Sequence, residues 1–305
     1  MWAVGTITGQ LTLFHKGTNE TSGFHNCIGS VRAIEFNEVS DNFASGDKSG
    51  NLYITDISKE KCIFSQKHGH DEPIECIRYL SSSTIAVGDT GGSVKIWDIR
   101  DGKCTRTFKY DNDFIADIAV VDNNNIIICN SCGVTSVVRI SQNKRIEYYQ
   151  QEDDDFTSLT YNPLNTRIIV SSSRPKIYCV KYPSLDYLFD VTPNTHSSIV
   201  MVRQIPSQLE RIVTTQEDGS VSILNVHPNR PIFAFRAHKE TLLGSCASGT
   251  ILMTWANDNT AKLWDIAEKS EMAYSKPKSG KKRKTVRVLE EKDDFFAALV
   301  KQNVD

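Results

Sequence analysis

His238, Thr254 and Asp258 bring an imidazole, a hydroxyl and a carboxylate into one short stretch near the end of the chain. Those types can form a relay in which a base activates a nucleophile and an acid orients the base. Here they fall on a strand and a tight turn, which predicts burial rather than a cleft. Cys129 and Cys132, in the run CNSC, have the CxxC spacing of half a metal site. A zinc site needs a second pair or histidines at matching distance, and none follows. The run EDDD, Glu152–Asp155, could hold a cation, but it leads into an apolar strand and reads as an acidic loop. No GxxxxGK[ST], no GxGxxG ahead of a helix and no HExxH occurs. No catalytic residue, metal ligand or cofactor is assigned, and no enzyme is expected.

The remaining charge chemistry lies at the end. KPKSGKKRK contains the densest basic run, Lys281, Lys282, Arg283 and Lys284. Such a cluster reads as a nuclear address or as a salt-sensitive, non-specific phosphate contact. No aromatic residue interleaves it, so it offers no stacking platform for single strands. From Lys276 onward there are nine Lys/Arg against five Asp/Glu, and before it 26 against 32, a net of −6. The body is mildly acidic and lacks the balance of a dedicated nucleic-acid-binding domain. Eight cysteines without framework spacing predict free thiols in a reducing compartment. The opening MWAVGTITG has no charged n-region or long apolar run, and no segment reaches the ~20 apolar residues of a spanning helix. A soluble, intracellular protein is expected.

The elements that carry these residues recur. Hairpin turns align at Gly9, Gly50, Gly92, Gly133, Arg174, Gly219 and Asn259, with successive separations of 41, 42, 41, 41, 45 and 40 residues. Each pair except the first is preceded by a short apolar strand, such as PIECIRYL (Pro73–Leu80), and followed by a more polar one, such as KCTRTFKY (Lys103–Tyr110). Four short strands per unit and no helical period predict an all-β repeat fold. A single unit cannot bury both its faces, whereas stacked units can. The expected fold is a seven-bladed β-propeller over residues 1–275, with an incomplete first blade and a short charged tail over 276–305. The first blade begins at its second strand. Either sequence upstream of Met1 supplies the first strand, which is the preferred reading, or TVRVLE (Thr285–Glu290) fills the slot.

The period and the AVGDTGGSVKIWDI phrase (Ala86–Ile99) resemble the WD-repeat proteins. In the last unit the resemblance implies a structural network of His238, Thr254, Asp258 and Trp264, which would satisfy buried polar groups. The third unit keeps His70 and Trp97 but has Gly91 at the position of the turn carboxylate. WDIR, with Trp97, Asp98 and Arg100, resembles the WDxR ending of proteins that dock on the damaged-DNA-binding adaptor of cullin-four ubiquitin ligases. The structural alternative is a strand end plus a solvated arginine. In EEKDDFFAALV, acids precede Phe295, Phe296 and Leu299 at helical spacing, a sticky face for a partner groove or for the propeller's own surface.

IAVGDTGGSVKIWDIR (Ile85–Arg100), DFIADIAV (Asp113–Val120), LNVHPNRPI (Leu224–Ile232) and DDFFAAL (Asp293–Leu299) together resemble the WD repeat-containing protein 55 family and its fungal counterparts. The resemblance implies a nucleolar protein without enzymatic activity, acting in ribosomal RNA processing and ribosome production. The partners implied are proteins, pre-ribosomal assembly factors, with weak RNA contact through the basic tail and no membrane. The alternative function is a substrate receptor docking on the cullin-four adaptor through WDIR.

Overall fold

The computed structural model describes residues 1–14, 21–24, 27–110, 113–193, 196–266 and 288–291. Their regular structure is strand only, in seven antiparallel sheets that are the blades of a β-propeller. The chain divides into two compact units, Met1–Phe156 and Thr157–Asp305.

The first unit holds four sheets. The first is Trp2–Gly5, Leu11–Phe14 and Thr21–Phe24. The second is Val31–Phe36, Asn42–Asp47, Leu52–Asp56 and Lys61–Gln66. The third is Ile74–Tyr79, Thr84–Asp89, Ser93–Asp98 and Lys103–Lys109, and the fourth runs from Ile115–Val120 to Lys144–Gln150. In the second to sixth sheets burial peaks in the middle strands and is least in the last. TIAVGD is buried after its first residue, because neighbouring sheets cover both faces. KCTRTFK, the outermost strand, is exposed except at Phe108. This is why inner strands read as apolar runs and outer ones as polar.

Cores form between sheets. Leu52, Ile54, Ile77, Ile85, Val87 and Trp97 join the second and third, while Val94, Phe108, Ile118, Ile126 and Val138 join the third and fourth. Fully burying such a side chain stabilises by roughly 1.5–3 kcal/mol. In the second unit, Val213, Val221, Leu242, Leu252 and Trp264 join the sixth and seventh sheets in the same way.

Val288–Glu291 is the fourth strand of the seventh sheet, pairing Trp264 with Val288, Leu263 with Glu290 and Lys262 with Glu291. The described end of the segment considered as a filler for the first sheet, from Val288 to Glu290, therefore pairs in the last sheet, while Thr285, Val286 and Arg287 lie outside the described residues. In the second to sixth sheets the fourth slot is taken by the strand that follows directly. In the seventh it is filled from beyond the basic run, which gives the edge of Ala261–Asp265 a partner.

Candidate functional site: histidine relays between blades

His238 follows the last strand of the sixth sheet, Arg230–Arg236, and its backbone N–H is held by the Gly219 carbonyl at 3.1 Å. Thr254 lies in Ile251–Ala256, Trp264 in Ala261–Asp265, and Asp258 in the turn between them. The structure brings all four together. Trp264 Nε1–H donates to Thr254 Oγ1 at 2.9 Å, and that hydroxyl meets His238 Nε2 at 2.8 Å. His238 Nδ1 faces Asp258 Oδ2 at 3.0 Å, and the Thr260 hydroxyl donates to Asp258 Oδ1 at 2.7 Å. One polarity satisfies every group: indole to hydroxyl, hydroxyl to Nε2, Nδ1–H to carboxylate. Thr254 is 0% exposed and already engaged by the indole, so it is no free nucleophile.

Burial lowers the pKa of His238, against the opposing pull of Asp258, and lowers that of His70, against Asp89. Asp258, although burial raises it, is held below its ordinary value by hydrogen bonds from Thr260 and His238. Both imidazoles therefore fold neutral. Below the unfolded value of about 6.5 the unfolded chain binds more protons than the folded one, so stability is full above that pH and falls beneath it. The slope reaches about 1.4 kcal/mol per pH unit for each histidine. Denaturation midpoints should be level from pH 8 to 7 and drop between 6.5 and 5; a flat profile there would contradict neutral folding.

A second relay lies in the third sheet. His70 Nδ1 meets Asp89 Oδ2 at 2.6 Å, both groups being buried. Asp89 Oδ1 also accepts from the backbone N–H of Gly91 and of Ser93, at 3.0 and 2.8 Å. The position of Gly91 pointed to a missing carboxylate, but Asp89, at the end of the second strand, supplies it. The signal in the sequence was the polar residue three positions before the turn glycine, present as Asp47, Asp89, Asn130 and Gln216. Val87 occupies the place that Thr254 holds in the seventh sheet, and His70 Nε2 and Trp97 Nε1 are buried without partners. Val87→Thr should join them and raise stability by about 1–2 kcal/mol, since a net hydrogen bond is worth about 0.5–1.5 kcal/mol. A variant that unfolds at lower denaturant than the parent would refute this relay.

The other sequence candidates separate. Trp97 is buried in the core between the second and third sheets. Arg100 is exposed but folded onto Asp98, with Nη2 to Oδ2 at 2.6 Å, and this pairing holds the Asp98 carboxyl down to about 2. Cys129 is buried in its strand, whereas Cys132 is exposed and donates to Asp113 at 2.9 Å. Lys281, Lys282, Arg283 and Lys284, and Phe295, Phe296 and Leu299, lie outside the described residues. An open concavity of about 210 Å³ in the second unit is lined by Ile205, Arg211, Ile223, Phe233 and Ile266.

Residues 3–151 match the family described as Nucleolar protein 10-like, N-terminal domain. The WD repeat-containing protein 55 homolog of Aedes aegypti is 24% identical over 97% of this chain and 66% of its own length. WD repeat-containing protein 55 of Pongo abelii is 23% identical over 99% of this chain and 82% of its own, and that of Arabidopsis thaliana 22% over 87% and 77%. A chain in a crystal structure of the mitotic checkpoint complex superposes with a TM-score of 0.79 at 15% identity, covering 87% of this chain and 82% of that one, and shows the fold. The chain folds as a β-propeller and is similar over nearly its whole length to the proteins named WD repeat-containing protein 55.

Proposed function

We propose that this chain is a non-enzymatic scaffold of the nucleolus that supports ribosomal RNA processing by holding pre-ribosomal assembly factors. The observation that carries this reading is the similarity, over nearly the whole chain, to proteins named WD repeat-containing protein 55. The match of residues 3–151 to a domain named for a nucleolar protein supports the compartment. The relays favour a rigid platform over a catalyst, since both imidazoles are tied to carboxylates inside the blades and the Thr254 hydroxyl is engaged by His238 and Trp264. In this reading Lys281, Lys282, Arg283 and Lys284 are the nuclear address, and Phe295, Phe296 and Leu299 form a partner-binding face.

The test is sedimentation of the tagged full chain from nuclear extract, with crosslinking mass spectrometry of each fraction. Migration with pre-ribosomal particles and crosslinks to their assembly factors are expected, and changing Lys281, Lys282, Arg283 and Lys284 to alanine should move the protein out of the nucleus. A chain that sediments only as a free monomer would overturn the proposal. The alternative is docking of Trp97, Asp98 and Arg100 on the cullin-four adaptor. Arg100 is the exposed member of that set. Unchanged adaptor capture by Arg100→Ala would remove it.

A further inference from the structure

The outermost strands of the third and fourth sheets, Lys103–Lys109 and Lys144–Gln150, carry an unusual concentration of charge. Lys103, Arg106, Lys109, Lys144 and Arg145 are all exposed, against the single acid Glu147. None of the five closes an ion pair among the described residues, although the body as a whole is acidic. The outer strand of the fifth sheet, Tyr187–Val191, has no base, that of the second, Lys61–Gln66, has one, and that of the sixth, Arg230–Arg236, has two, so the five bases on two adjoining edges are what sets this pair apart.

The two edges form one surface. Phe108 of one strand and Val138, beside Arg145 in the next sheet, share a core. The Arg145 guanidinium lies 5.9 Å from the ring centre of Tyr110, the residue that follows the third sheet, and 5.1 Å from that of Tyr148. Tyr148 is itself 58% exposed. Lysines on an edge strand discourage edge-to-edge pairing and would explain Lys103, Lys109 and Lys144. That role does not call for two arginines, nor for an exposed tyrosine stacked on one of them. Unpaired bases with an exposed ring among them match the requirements of a single strand: cations follow the phosphates and the aromatic face receives a base.

We infer that the outer edges of the third and fourth blades bind single-stranded RNA, with Lys103, Arg106, Lys144 and Arg145 on the phosphodiester backbone and Tyr148 stacking a base. This surface is separate from the basic tail. The choice of RNA over another polyanion rests on the nucleolar reading above.

The test is fluorescence anisotropy of a labelled 20-nucleotide oligouridylate titrated with the full chain carrying Lys281, Lys282, Arg283 and Lys284 changed to alanine, which removes the tail's contribution. Binding should persist in that background. Adding Lys103→Ala, Arg106→Ala, Lys144→Ala and Arg145→Ala should weaken it at least tenfold and reduce the slope of log K against log salt by about 3, the single-strand value for four phosphate contacts. Tyr148→Ala should weaken it at least about fivefold with the slope unchanged, and Tyr148→Phe should restore it. These residues are exposed, and matching melting curves establish that each variant folds. No binding in the tail-substituted background, or equal binding by the edge variant, would overturn the inference. Equal displacement by polyglutamate would overturn it in favour of an acidic protein. A failure here leaves the sedimentation result untouched, so the two proposals fail separately.

Discussion

Asp89→Ala is expected to destabilise the protein by about 3 kcal/mol or more. The carboxylate is buried and serves three donors, His70 Nδ1 and the backbone N–H groups of Gly91 and Ser93. Each buried donor left without a partner costs about 1–3 kcal/mol, whereas a net hydrogen bond contributes only about 1. His70 Nε2 already lacks a partner, so the imidazole would be left with none through either nitrogen. Asp258→Ala should cost less, because Asp258 is partly exposed and water can reach the groups it leaves. Equilibrium denaturation of the two variants beside the parent decides the point. A loss below about 1 kcal/mol for Asp89→Ala would show that the third-sheet relay does not hold its blade.

Gly50→Ala should be comparably severe. Gly50 has φ +74°, where a side chain costs about 1–2 kcal/mol. Its Cβ would also stand 2.1 Å from the His70 carbonyl oxygen. That carbonyl cannot simply retreat, because His70 is tied through its backbone N–H to Gly50 O at 3.1 Å and through its ring to Asp89. The combined cost is expected at about 3 kcal/mol or more. Gly249 is the control: its φ is +59° and nothing lies within 4 Å of a built Cβ, so Gly249→Ala should show the conformational cost alone. Because Gly50→Ala and Asp89→Ala both displace His70, the double variant should lose less than the sum of the singles. Equal losses at Gly50 and Gly249, measured by denaturant midpoint, would show that the clash is absorbed.

The hairpin period was legible because each turn demands a positive φ or a tight bend, and glycine marks it at Gly9, Gly50, Gly92, Gly133 and Gly219. Asn259 takes the same place with φ 58°, a conformation asparagine tolerates. The inner strands were legible because two-sided burial makes an apolar run; FTSLTYN is a strand over Phe156–Asn162, as its composition predicted. Asp89 was missed because the expected carboxylate position was taken from the seventh sheet, where it sits one residue before the turn position. In the third sheet it sits three residues before. Either position can reach the histidine that arrives from the preceding blade. The place of Val288–Glu291 was not legible, since β-branched residues specify a strand but not its neighbour. The exposed bases of the outer strands each look ordinary in sequence. Their concentration appears only when Arg145 is seen beside Tyr110 of the preceding blade.

The most direct measurement is pulse-labelling of ribosomal RNA after acute depletion of the protein, with the full chain restored in parallel. A scaffold for ribosomal RNA processing predicts that precursor species accumulate while mature species lag, and that the restored chain returns both to normal. Unchanged processing kinetics in fully depleted cells would contradict it.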